Sequence, residues 1–122
     1  MEGFLQALKC KDPVEQAWIC SLFGLHAKRE GAKYNEVWRV TQTLWWKGTS
    51  MERGGKAYAR LISRAFDKLV KVPEFRTALL ATGCAELTHY IGENDPKKTV
   101  LTKVEFIAEL YRLRKKPERR SA

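Results

Sequence analysis

Between Gly54-Gly55 and Pro73 an apolar stripe runs through Tyr58, Leu61, Ile62, Ala65, Phe66 and Leu69, repeating at three and four residues. That spacing puts one face of a helix, from about Lys56 to Val70, into a core. Such a helix draws its stability from whatever covers its stripe, so the chain must supply partners of matching pattern. Phe4, Leu5 and Leu8 repeat in the same way in the first segment, which reads as a helix over EGFLQALK. Phe75, Leu79 and Leu80 do so after Pro73, which opens a helix that Gly83 closes, and so do Val104, Ile107, Leu110 and Tyr111 near the end. With 122 residues, 44% hydrophobic and 11% aromatic, the chain can build one core, which excludes wholesale disorder. One domain over residues 1–114 and a basic tail over residues 115–122 are expected.

Local signals divide the remainder. Asp12-Pro13-Val14-Glu15 is a helix start, with Asp12 as cap and Pro13 at the first helical position. The helix that follows is expected to turn Val14, Ala17, Trp18 and Leu22 inward and to end near Gly24. Leu25 to Glu30 reads as a short helix stopped by Gly31. Val37 to Lys47, closed by Gly48, is rich in β-branched and aromatic residues and reads as a strand by propensity, while Trp38, Trp45 and Trp46 also fit a helical face. Leu87 to Ile91 fits a short extended piece, and Gly92 to Pro96 a loop. Thr102-Lys103-Val104-Glu105 is a second capping box. The expected fold class is therefore mainly α, a single compact domain of five to six helices with at most one or two short strands.

The net charge is +9, and it is unevenly placed. Arg112, Arg114, Lys115, Lys116, Arg119 and Arg120 stand against Glu118 alone, a balance of +5 that leaves +4 for the rest of the chain. Two readings fit this run. Clustered cations neutralise nucleic-acid phosphates, and cations at a helix C-terminus also favour its dipole ahead of a solvated tail. No apolar run approaches the ~20 residues of a membrane span, and no basic start followed by an apolar stretch marks a secretory leader, so no membrane partner is expected. Cys10, Cys20 and Cys84 are odd in number and lack CxxC spacing, which argues against a zinc site or disulfide framework and points to a reducing, cytoplasmic location. His26 and His89 lack ligand spacing, no glycine-rich phosphate loop is present, and neither a metal nor a cofactor is expected.

One polar constellation could carry chemistry. At ~100° per residue Glu2, Gln6 and Lys9 share one helix face, away from Phe4, Leu5 and Leu8. They form either an exposed face with a loose charge pair or a pocket wall presenting a carboxylate, an amide and an amine. In the second case Glu2 can move protons. Lys9, if a neighbouring cation such as Lys28 or Lys97 or burial lowers its pKa, can attack a carbonyl. Trp45 and Trp46, beside Lys47, suit base stacking or the core. Cys10, next to Lys9, reads as a buried structural thiol or one activated by that cation.

The string Glu2-Gly3-Phe4-Leu5-Gln6-Ala7-Leu8-Lys9 resembles the Glu-x-x-x-Gln-x-x-Lys signature of the NADAR family, an N-glycosidase-like group linked to NAD and ADP-ribose metabolism. Ala27-Lys28 with Gly31, Phe75 to Gly83, Leu87-Thr88-His89, Asp95, and Leu110 to Arg114 are similar to later family segments in the same order. The family's Asn-Phe segment before the glutamate and its Trp-Gly-x-Gly stretch have no counterpart, so the chain resembles an N-terminally shortened member. The resemblance implies a helical hydrolase that cleaves an N-glycosidic bond to ribose in an ADP-ribosyl-guanine or ribosylaminopyrimidine substrate. It implies Glu2 as acid/base and Lys9 as Schiff-base nucleophile, with Gln6, Trp45, Asp95 and Lys97 binding a ribosylated nucleotide or ADP-ribose-type ligand. The competing expectations are a basic, non-catalytic nucleic-acid-binding module and a degenerate family member that binds the nucleotide uncleaved.

Overall fold

A computed structural model of the chain describes residues 1–88 and 92–115. His89, the end of the expected Leu87–Ile91 piece and the tail beyond Lys115 lie outside the described residues. The elements run α1 (Glu2–Ala7), α2 (Pro13–Cys20), α3 (Gly24–Ala32), α4 (Asn35–Thr41), β1 (Thr43–Trp46), β2 (Thr49–Glu52), α5 (Lys56–Leu69), α6 (Pro73–Ala81) and α7 (Lys103–Lys115). The fold is mainly α, with one antiparallel hairpin in which Leu44 faces Met51 and Trp46 faces Thr49. Among the described residues no helix is long and apolar enough to cross a membrane.

α5 is the central helix. Its stripe of Tyr58, Leu61, Ile62 and Phe66 is buried, and it meets Leu8, Trp38, Leu44, Leu79, Val100 and Leu113 in the main core. A second, smaller core of Ala7, Cys10 and Ile19 lies where α1 meets α2, with Cys20 and Tyr34 packed against it. The start of α7 forms both bonds of the expected capping box. Thr102 Oγ1 accepts from Glu105 N at 3.1 Å, and Glu105 Oε1 accepts from Thr102 N at 2.8 Å. Arg53, whose side chain is almost fully buried, then clamps the same carboxylate with both guanidinium ends, at 2.6 and 3.2 Å.

Four local expectations are corrected. Val37–Lys47 is not one strand: α4 occupies its first half and β1 its second. The joint is Gln42, at φ 54°, whose amide donates to Arg39 O and Lys97 O. This division supplies a seventh helix among the described residues. α2 is rotated relative to expectation, because Val14 is 80% exposed and Trp18 46%, while Gln16 and Ile19 are buried. Gln16 overrides the apolar pattern by bonding strongly: its amide nitrogen donates to Ala7 O, Cys10 O and Trp45 O at 2.8–3.0 Å, and its oxygen accepts from Lys47 N at 3.1 Å. Gly31 does not stop α3 but lies inside it, facing α1. In α7 Val104 is exposed and Leu113 takes the buried place, since Val104 stands in the first turn, outside the stripe that meets α5.

Candidate functional site

α1 is short, and close approach by its neighbours fixes its position. A Cβ at Gly3 would overlap the carbonyl oxygens of Leu22, Cys20 and Ile19, and one at Gly31 would overlap the Gln6 side chain. Glycine is required at both positions for contact, not for a turn. The Gln6 amide occupies the space that Gly31 leaves open and donates to Glu2 Oε1 at 2.8 Å. Gln6 Oε1 is buried with no hydrogen-bond partner among the described residues.

Lys9 is half-buried at the end of this face, and its amine donates to Asn35 Oδ1 at 2.7 Å. Asn35 and Arg39 stand four residues apart on α4, so one helix face presents both towards Lys9. Burial, chiefly, and the Arg39 guanidinium lower the Lys9 pKa to about 8, against an opposing pull from the Glu2 carboxylate. The cation beside Lys9 is therefore Arg39, not Lys28 or Lys97. Arg39 in turn donates from Nε to Lys98 O at 3.2 Å, which brings the loop of residues 93–99 against the end of α4.

The helix ends at Ala7, short of the expected EGFLQALK, so Glu2 and Gln6 lie on α1 and Lys9 in the turn after it, where Asn35 and Arg39 of α4 join it. The structure assigns the other named residues to different work. Asp95 holds its own loop, with Oδ1 accepting from Lys97 N at 3.0 Å and its backbone oxygen accepting from Lys98 N and Thr99 N. Lys97 is exposed, and its carbonyl receives the Gln42 amide. Trp45 pairs through its backbone with Leu8 O and the Gln16 amide, and its ring carries the Lys11 ammonium 5.0 Å from the centroid. Within the basic run, Arg112 bonds to Asp67 and Glu109, and Arg114 bonds to Thr82 Oγ1 and Ala85 O. Both guanidinium groups therefore brace α7. Asn35 and Arg39 carry no signal in the sequence while Val37–Lys47 fits both a strand and a helical face. In a helix, their spacing of four is the signal that pairs them.

Comparison with known proteins decides the family. The model of the bacteriophage protein GP30.3 family matches residues 1–115. A protein of Enterobacteria phage T4, described as an uncharacterized 17.1 kDa protein in the Gp30-rIII intergenic region, is 36% identical over 116 residues, spanning 93% of this chain and 76% of the phage T4 protein. The chain belongs to the bacteriophage GP30.3 family. No solved structure matches it. This membership replaces the NADAR resemblance, because the match takes in the Glu2–Lys9 octapeptide together with the rest of the chain to residue 115. Cleavage of an N-glycosidic bond, the hydrolase assignment and the link to ADP-ribose, all implied by that resemblance alone, fall with it. The expectation of a nucleic-acid-binding module gains no better support from the GP30.3 match. The pieces that carried the resemblance were each short. A Glu-x-x-x-Gln-x-x-Lys spacing is also what the polar face of any amphipathic helix can show.

Proposed function

We propose that this GP30.3-family chain is a ligand-binding protein that holds a small phosphate-bearing molecule between Lys9 and Arg39. The observation that carries the reading is the convergence of two cations and an amide from separate elements. Lys9 comes from the turn that follows α1, and Asn35 and Arg39 come from α4. The partly buried Lys9 ammonium is repelled by the exposed Arg39 guanidinium, and a bound dianion offsets that repulsion while accepting hydrogen bonds from both. Glu2, held by Gln6, leaves the pair short of full neutralisation. Arg39 also holds the loop of residues 93–99 through the Lys98 carbonyl. Three free thiols, with Cys84 exposed, fit a cytoplasmic location.

Side-chain NMR of the lysines tests the reading, with inorganic phosphate and adenosine monophosphate as probes. Bound anion favours the ammonium form, so the Lys9 midpoint should climb from about 8 towards the ordinary lysine value. Affinity should weaken as pH rises above that midpoint. Arg39→Ala should weaken the response and raise the Lys9 midpoint of the free protein. A Lys9 titration that both probes leave unmoved at millimolar concentration overturns the proposal.

A further inference from the structure

On the opposite side of α1 from Lys9 lies a groove of about 640 Å³, walled by the start of α1, the end of β1 and α5. Phe4, Leu61, Ala65 and Leu69 form its floor, and Lys47, Arg64 and Lys68 stand among its lining residues. Among the described residues no Asp or Glu lines it. All three cations are exposed, and among the described residues none of them has a carboxylate partner. Trp46 directs one of them. Its ring meets Phe4 edge-on, with centroids 5.1 Å apart, and holds the Lys47 ammonium 5.5 Å from its own centroid. Arg64 and Lys68 are separated by one turn of α5, so both rise from the same side of the trough.

We propose that this groove receives an acidic amphipathic helix from a partner protein. The distribution of charge selects this occupant. A fatty acid or other single-headed amphiphile needs its cations at one end of an apolar slot. Here the cations are spread along an apolar floor that follows α5 from Leu61 to Leu69, roughly 12 Å at 1.5 Å per residue. Arg64 and Lys68, four residues apart, match glutamates four residues apart on a facing helix, while its apolar stripe lies on Phe4, Leu61 and Leu69. A second copy of this chain is a poor occupant, because the molecule carries +9 and the groove itself is cationic. The proposal is independent of the Lys9 site.

The test uses the full chain and a fluorescent peptide of roughly 15 residues, long enough for about four helical turns, with leucine at every third or fourth position and glutamate on the flanks. Saturable binding that weakens with salt is expected. Arg64→Glu and Lys68→Glu should each reduce affinity about tenfold or more, and Lys28→Glu, on α3 away from the groove, should reduce it far less. Circular dichroism of the variants separates lost binding from lost folding. Ala65→Trp, which fills the floor without changing charge, should also abolish binding. Equal binding of a sequence-scrambled peptide, saturable binding of octanoate in place of the peptide, or a groove-dependent dimer in light scattering would each overturn the proposal.

Discussion

The two sides of α1 are held by opposite means. On the side of α2 and α3, backbones come so close that Gly3 and Gly31 have no room for a methyl group, and the polar groups at the contact mostly satisfy one another. On the side of α5, large side chains such as Phe4 and Trp46 meet edge-on beside an open groove lined by cations. The first side is determined by steric fit, so small changes there are felt by the whole N-terminal region. The second is determined by surface chemistry, so changes there alter what binds more than what folds.

The largest effect should come from Gly3→Ala. Its new methyl group meets three backbone carbonyl oxygens, which cannot rotate away, and the loss should be about 4 kcal/mol or more, in the range of severe overpacking. Urea unfolding measures it, and a loss under 1 kcal/mol would show that α1 can move away from α2 at little cost. Gln16→Leu should follow at about 3 kcal/mol, because it removes the side-chain bonds to Ala7 O, Cys10 O, Trp45 O and Lys47 N and leaves Ala7 O with Cys10 N alone. Gly31→Ala should cost less, about 1–2 kcal/mol, since its methyl meets a side chain, that of Gln6, which can be removed. Adding Gln6→Ala should recover most of that loss, and the double-mutant cycle reports the coupling. A cycle without coupling would mean that α3 meets α1 elsewhere.

Lys9 gives a pH signature on the closed side. Its folded pKa of about 8 lies below the unfolded value near 10.5, so the unfolded chain binds more protons between those values and stability rises with pH across that window. The slope is at most about 1.4 kcal/mol per pH unit. Lys9→Met should remove this contribution, read as a flatter stability profile from pH 8 to 10. On the open side, Arg64→Glu or Lys68→Glu should shift stability by no more than about 0.5 kcal/mol. A large loss there would erase the contrast between the two sides.

How much of this was legible in the sequence depended on whether a signal was local. The stripe of α5 and the Thr102–Glu105 box depend on residues within a few positions of each other, and both formed as their spacing requires. The face of α2 could not be read locally, because Gln16 is buried for the sake of carbonyls at residues 7, 10 and 45. The change from α4 to β1 turns on one left-handed residue, Gln42, whose side chain is held by Lys97 O far along the chain. At the candidate site, helical spacing accounts for the pairing of Glu2 with Gln6, while Lys9 lies in the turn beyond α1. The site's completion by Asn35 and Arg39 depends on where α4 begins, and its crowding by Gly31 depends on how α3 docks.

The bonds of Gln16 also bear on the order in which the molecule assembles. They join the end of α1, the start of α2 and the last residues of β1, so none of these segments reaches its full hydrogen bonding until the hairpin has met the first two helices. Closing a loop of some thirty residues for one side chain is entropically costly, which places this junction late in folding, after α5 has gathered the main core. In hydrogen exchange, the amides of residues 7–20 and 45–47 should accordingly open together as one unit, ahead of those in α5.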